Sequence, residues 1–279
     1  MEEAIHITKP DKFKYYKPRF ERIYFGAEFC QNLIPSITDL KSALTFAKKR
    51  NLYFTLMTPF VTGKGLVRLE GIFKFLKLKL PGCEVVVNDW GVLEVLSKRY
   101  KNFKPSLGRL LTRQNRDPAM ARVLEKQPPY GVKTKDGRIR IVAHIPPGPR
   151  YQEGIRASYV NAPSVQKFLS RFKIKRLELN NLVQGVNLAG IEFKVSLYTP
   201  FVNISTTRFC PMESRIQKIY RINVCKRECQ RYYSRLRNKT IPNVLYQRGN
   251  TTFYKNPLDR NIMEKKPFDR IVFQPELPF

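Results

Sequence analysis

Five cysteines and two histidines are the residues of this 279-residue chain whose type and spacing could do chemistry beyond simple charge pairing. Three of the cysteines fall in one stretch, Cys210 to Cys229, which reads CPMESRIQKIYRINVCKREC and has the spacing C-x14-C-x3-C. Residues four apart stack on one face of a helix, so a helical reading puts Cys225 and Cys229 side by side and lets Cys210 fold back over them. A fourth thiolate would complete a four-cysteine cage, and the candidate is the remote Cys30. Such cages hold structural zinc or an iron–sulfur cluster. Zinc ribbons generally pair two close C-x2-C knuckles, and this chain has none, so the spacing leans toward a cluster.

The histidines restrict the alternatives. A Ser-His-Asp or Cys-His triad would have to use His6 or His144. No G-x-S-x-G, H-E-x-x-H, G-x-G-x-x-G or P-loop motif occurs, so a self-contained hydrolase has little support in the residues.

The elements that must position these thiols read as alternating strands and helices. Residues 1–21 are polar and aromatic and read as a lead-in. Arg22–Gly26 reads as a strand, with Ala27–Cys30 as the loop leaving its C-terminal end. Asp39 is placed to cap a helix to Arg50; Leu52–Phe60 is a second strand and Leu66–Leu80 a helix. Glu84–Asn88 is a third strand, and Asp89 caps a helix over Trp90–Tyr100. Lys104–Leu111 is a fourth strand, followed by Thr112–Pro118, which has no apolar face. Three strand–helix repeats in the first hundred residues favour a mostly parallel sheet or barrel, an α/β architecture of the TIM-barrel-like (β/α) type.

The rhythm breaks at about 127–159, where prolines punctuate an inserted excursion that reads as a hairpin or lid, with a strand-like run at Arg138–His144. It resumes with a helix at Pro163–Phe172 and strands at Arg176–Asn180 and Phe193–Tyr198. Thr58-Pro59-Phe60-Val61 recurs as Thr199-Pro200-Phe201-Val202 at a second strand end, as repeated βα units would produce. Arg248-Gly249-Asn250 reads as a hairpin turn, and the tail from Ile271 covers one end of the sheet. Residues 22–279 are thus expected to form a single domain. In parallel sheets the strand C-termini share one rim, and Cys30 and Cys210 are both expected there after strands. Cys83 precedes its strand, on the opposite rim, and reads as a packing residue. Asn88, Asp89, Arg109 and Arg113 are expected on the cysteine rim as substrate contacts, with a helix cap as the competing role for Asp89.

The formal net charge is +30 and the isoelectric point about 10.1, a field that attracts RNA, DNA, anionic lipid or a small anion. Ser205–Thr240 is the most lopsided stretch, with ten Lys or Arg against two Glu. Cations there would offset the negative charge of four thiolates, with Arg208, Lys226 and Arg227 as candidates. Tyr15, Tyr16, Tyr232, Tyr233 and Phe253 are candidate stacking surfaces for RNA. The first twenty residues have no apolar core segment, so no secretory signal is expected, and no run reaches membrane-span length. The expected location is cytoplasmic, where clustered thiols serve metal or redox chemistry rather than disulfides.

Tyr24-Phe25-Gly26 with Cys30, Val85–Asp89 (VVVND), Gly108–Pro118 (GRLLTRQNRDP) and the three late cysteines together resemble the peptidase U-32 family. The likeness is to the branch that holds the ubiquinone-biosynthesis proteins UbiU and UbiV. It runs over about residues 20–255, and the cysteine order, one early and three late with the last pair at x3, is its specific part. The resemblance implies a TIM-barrel-like fold with an oxygen-sensitive 4Fe-4S cluster on Cys30, Cys210, Cys225 and Cys229. It also implies oxygen-independent hydroxylation of a quinone precursor or an RNA base, and a paralogous partner in a heterodimer. An accessory protein that binds RNA or a partner and carries a structural or sensory cluster is the alternative. The signature of the peptidase-named members is missing. The linker between the second and third cysteines is longer than in the UbiV pattern, and the chain is more basic.

Overall fold

The computed structural model describes residues 1–125, 128–213, 224–239, 241–258 and 268–279. In chain order, β1 (Glu2–Ile7) and β2 (Arg22–Phe25) are followed by α1 (Ile37–Lys49), β3 (Tyr53–Met57), α2 (Gly63–Lys79), β4 (Glu84–Val87), α3 (Trp90–Arg99) and β5 (Lys104–Leu107). Then come α4 (Met120–Leu124), a hairpin of β6 (Tyr130–Lys133) and β7 (Ile139–Val142), α5 (Pro149–Arg156) and α6 (Pro163–Ser170). The chain returns to the barrel with β8 (Arg176–Asn180) and β9 (Lys194–Thr199). It leaves again through β10 (Phe201–Thr206), β11 (Ser234–Leu236), β12 (Leu245–Arg248) and β13 (Thr251–Lys255), and ends on β14 (Arg270–Phe273).

Eight of these strands close an all-parallel barrel in the order β1-β2-β3-β4-β5-β8-β9-β14, with β14 pairing back onto β1. The TIM-barrel-like α/β architecture is therefore the fold of this chain. Period-2 alternation explains the layers. Outward residues such as Ile23, Phe25, Leu56, Val85, Val87 and Leu177 join the apolar faces of α1, α2, α3 and α6 in one buried core. Inward residues Ala4, Tyr24, Met57, Val86, Tyr198 and Val272 fill the barrel's middle. At the strand N-terminal ends, Glu84 sits among Arg270 (2.6 Å), Arg176 (3.7 Å) and Arg22 (4.0 Å), whose other partners are Glu2 and Asp269, so three cations face three carboxylates.

Two helices, α3 at Trp90 and α6 at Pro163, start where the residue pattern places them, and α1 and α2 each start three residues earlier, at Ile37 and Gly63. Ser36, not Asp39, caps α1. The Asp39 N–H donates to Ser36 Oγ at 3.1 Å and the Ser36 N–H to Asp39 Oδ2 at 3.2 Å, a reciprocal capping box. Asp89 caps α3 by accepting from the Gly91 and Val92 N–H groups.

Three expectations need correction. Residues 1–21 are not a lead-in: β1 is a barrel strand, and Ala4, Ile5 and Ile7 are almost fully buried. A short strand between edges provided by β2 and β14 needs no long apolar run. The 127–159 excursion, expected as a hairpin or lid, holds the two-stranded β6–β7 hairpin and α5, and Gln127 lies outside the described residues. The strand before Cys210 is not a barrel strand: β10 pairs antiparallel with β13 in a separate four-stranded sheet ordered β10-β13-β12-β11. Finally, Cys225 and Cys229 do not share an α-helix. Arg227 between them adopts φ 60°, in the left-handed region, and only a single 3-10 turn, Glu228–Gln230, follows.

Candidate functional site

The strand C-terminal rim carries a polar cluster centred on Arg109, which is fully buried. Arg109 donates from Nε and Nη2 to both Glu28 carboxylate oxygens at 2.8 and 2.5 Å, and from Nη1 to Asn180 Oδ1 and the Phe201 carbonyl, each at 2.9 Å. Its guanidinium lies 4.2 Å from the Tyr198 ring centroid. With its amide turned to suit both neighbours, Gln274 accepts from Arg109 and donates to the Phe201 carbonyl. A buried, bidentate pair of this kind stands only with its remaining protons satisfied, and here they are. It ties the loops after β2, β5, β8 and β9 to one another.

Asn88 is also buried on this rim; it donates to the Thr58 carbonyl at 2.9 Å and accepts from Leu110 N–H at 3.0 Å. Its side chain occupies the space where a Cβ on residue 108 would stand, which is why that position is glycine. Asp89 is spent on the α3 cap and on Val61 N–H. Arg113 is exposed, 5.9 Å from the Tyr159 ring centroid, and takes no part in the cluster. Of the four expected rim residues, Asn88 and Arg109 are structural rivets of the rim, Asp89 is a cap, and Arg113 points elsewhere.

The four thiols gather beside this cluster, under the β10–β13 sheet. Cys229 belongs to an apolar pocket with Phe29, Phe201, Phe253, Leu277 and Phe279, and Cys30 packs against its edge. Cys30, Cys210 and Cys225 each act electrostatically on the Cys229 thiol; Cys225 also acts on Cys30, and Cys30 on Cys210. Burial pushes the Cys229 thiol up to about 12 and Cys210 up to about 11, and raises Cys30 in the same direction. Cys83 is excluded from the group: it lies at the N-terminal end of β4 and its thiol donates to the Glu84 carbonyl at 3.2 Å.

Two of the thiols head the same local turn. The Cys30 carbonyl accepts from Leu33 N–H at 3.1 Å, and the Cys210 carbonyl from Glu213 N–H at 3.0 Å. In each turn the N–H groups two and three residues on, those of Asn32 and Leu33 and those of Met212 and Glu213, favour the sulfur's charged form. Backbone donors aimed at a sulfur stabilise a thiolate against its burial.

The β12–β13 turn brackets the whole assembly. Asn250 Nδ2 donates to the Phe29 carbonyl, next to Cys30, at 2.9 Å and to the Thr207 carbonyl, before Cys210, at 2.8 Å. Arg248 Nε donates to the Cys229 carbonyl at 2.8 Å, and its Nη1 to the Leu277 carbonyl at 2.9 Å. Gly249 between them has φ +57°, and a Cβ there would enter the Phe279 ring. Arg248 is also the cation that acts on the Cys229 thiol. Arg208, Lys226 and Arg227, expected in that role, are exposed to solvent. Among the stacking candidates, Phe253 is fully buried, Tyr15 and Tyr16 pack on the core, and Tyr232 and Tyr233 are exposed.

No protein-family model matches the chain, and no curated protein sequence does. Among solved structures, the chain is similar over 99% of its length to 93% of a chain described as the U32 peptidase Mk0906, at 10% identity and a TM-score of 0.47. It is similar at 8% identity and a TM-score of 0.35 to a glycoside hydrolase family 18 N-acetylglucosaminidase from Paenibacillus barengoltzii, with 98% and 94% of the two chains covered. A chitinase from Trichuris suis, TsES1, follows at 11% identity, a TM-score of 0.31 and coverages of 97% and 91%. Likenesses this distant carry neither a family nor an activity to this chain.

The donor set can be tested against the two groups that four thiols hold. A single zinc ion at about 2.3 Å from each sulfur draws the sulfurs to within about 4 Å of one another. Among the described residues, no three His, Cys, Asp or Glu side chains converge that closely. A four-iron cube binds its thiolates at separate, more widely spaced vertices. The four thiols are therefore candidate ligands by their chemistry alone, since the described residues assemble no metal-holding group. One unpartnered polar side chain faces the same pocket. Asn203 lies opposite Phe253 in the β10–β13 register, on the sheet face that bears the Cys229 pocket. It is fully buried, and neither its amide nitrogen nor its oxygen has a partner among the described residues.

Proposed function

We propose that this chain is an iron–sulfur protein of peptidase U-32 type that takes part in oxygen-independent hydroxylation. Its 4Fe-4S cluster would be held by Cys30, Cys210, Cys225 and Cys229. The observation that carries the reading is the gathering of four thiols from two distant parts of the chain, residue 30 and the stretch 210–229, at the rim where barrel enzymes build their sites. The motif resemblance supplies the family and the reaction class. When bound, the cluster supplies single electrons.

The chain's own residues do the rest. The half-buried thiol of Cys210 and the buried thiol of Cys229 must surrender their protons to bind iron, and the N–H groups of Met212 and Glu213 and the Arg248 cation favour that loss. The Arg109–Glu28 pair holds the Cys30 loop against the rim. The aromatic walls formed by Phe29, Phe201 and Phe253 shield Cys229 from water. Neither histidine supports proteolysis: His6 Nε2 is hydrogen-bonded to the Gly26 carbonyl and His144 Nε2 to the Val123 carbonyl, with no Ser or Cys nucleophile paired to either among the described residues.

Anaerobic purification with iron and sulfide analysis tests the reading. Four irons and four sulfides per chain, with broad absorbance bleached by dithionite, are expected. Cys30→Ala is expected to lose the cluster, and Cys83→Ala to keep it. A colourless or zinc-only protein, or a full cluster in Cys30→Ala, overturns the assignment.

A further inference from the structure

The face opposite the thiols is the most strongly charged feature that the site leaves unused. Two grooves cross the strand N-terminal ends there and meet at Glu84 and Lys104. The larger, about 970 Å³, is lined by Lys101, Lys104, Lys173, Lys175 and Lys194, all exposed. The second, about 870 Å³, adds Lys41, Lys48 and Lys79. Their acids do not balance these charges. Glu84 is consumed by Arg270, Arg176 and Arg22, which leaves Glu192 alone against the lysines. None of the eight lysines forms an ion pair among the described residues.

An aromatic ring stands at the end of the second groove. Tyr53, the first residue of β3, is 64% exposed, and one face of its ring lies on the Arg22 guanidinium, 4.9 Å away. Its other side borders a further hollow lined by Tyr16, Arg50 and Asn51. Unpaired lysines along a concave track with an open aromatic ring are the elements with which proteins hold a single-stranded polyanion: the cations follow the phosphates, and a base stacks on the ring. A lipid surface would meet this face badly, because the lysines line hollows instead of projecting beside apolar residues.

We infer that the strand N-terminal face of the barrel is a docking groove for single-stranded RNA. It lies on the opposite side from the thiols and does not depend on the cluster. The groove accounts for surplus charge that no ion pair absorbs.

The test is fluorescence anisotropy of a labelled oligouridylate with the full chain, titrated from about 50 to 200 mM KCl. Five lysine–phosphate contacts predict a log–log salt slope of about −3.5, at roughly −0.7 per contact on a single strand. The triple variant Lys101→Glu, Lys175→Glu, Lys194→Glu should bind more than about tenfold more weakly, with a slope shallower by about 2. A matched variant in the β6–β7 hairpin, Lys133→Glu, Lys135→Glu, Arg138→Glu, should bind within about threefold of the parent. Tyr53→Ala should lose about fivefold or more, the loss of one stacked base. Absence of binding at the lowest salt, equal losses in both triple variants, or tighter binding to phosphatidylserine vesicles than to the RNA would overturn the inference. So would an unchanged affinity in Tyr53→Ala.

Discussion

Asn250→Ala is the sharpest probe of how the thiol site is held together. The side chain is 5% exposed and donates two hydrogen bonds, at 2.9 Å to the Phe29 carbonyl and at 2.8 Å to the Thr207 carbonyl. Phe29 is buried, so its carbonyl would be left without a donor, which costs about 1–3 kcal/mol. The Thr207 carbonyl belongs to an exposed residue and can turn to water, so its loss adds about 1 kcal/mol. Urea denaturation of the metal-free protein should therefore show a loss of about 2–4 kcal/mol. The second readout is specific to the site. The two carbonyls lie beside Cys30 and Cys210, so the variant should reconstitute with fewer irons per chain than the parent at the same protein and iron concentrations. A stability loss below about 0.5 kcal/mol with unchanged iron content would show that the turn does not bracket the cysteine loops.

Three further outcomes follow from the same coordinates. Glu28→Gln leaves the fully buried Arg109 without its counter-charge and should lower stability by about 3–5 kcal/mol in urea melts; a loss below 1 kcal/mol would contradict the pairing. Burial, then the charge of Glu84, pushes the Glu178 carboxyl up to about 7. A raised carboxyl binds its proton more tightly folded than unfolded, so its contribution is fully present below the unfolded value near 4.5 and is lost as pH rises toward 7. That loss is about 3 kcal/mol, and Glu178→Gln should flatten the melting temperature across this window. Asn203→Val removes an unpartnered buried amide, so it should leave the metal-free protein as stable as the parent or more so. In the cluster-loaded protein it should make the midpoint potential more negative, because a donor to sulfur is gone; an unchanged potential would place the amide away from the cluster.

The barrel was legible because its signals are local. Ser36 to Arg50 and Asp89 to Tyr100 each carry a cap and an apolar stripe, and EVVVN is an apolar run of strand length. β1 was not legible. Glu2–Ile7 mixes acids with a histidine because its inward residues join the polar layers inside the barrel, so it lacks the apolar run of a buried parallel strand. The gathering of thiols could be anticipated from cysteine spacing, but the helix expected beneath Cys225 and Cys229 could not survive Arg227 in the left-handed region. The residues that hold the site were invisible for a different reason. Glu28 and Arg109 are 81 positions apart, and Asn250 reaches Phe29 across 221. Nothing in the sequence near either member marks it as half of a pair. Arg248 was hidden in a turn read only for its glycine.

The pairing of β14 with both β1 and β9 has a consequence for synthesis. The first barrel strand is complete at Ile7, yet its second neighbour begins at Arg270. At about 5–20 residues per second, the interval on the ribosome is about 13–50 s. Throughout it β1 presents an open edge, joined by β9 once Thr199 is made, and open edges invite pairing with other chains. Closure is therefore a single late event that docks one four-residue strand into two waiting edges. Cells making this protein would need to shield those edges until translation finishes. A chain cut before Arg270 should aggregate instead of forming a smaller barrel.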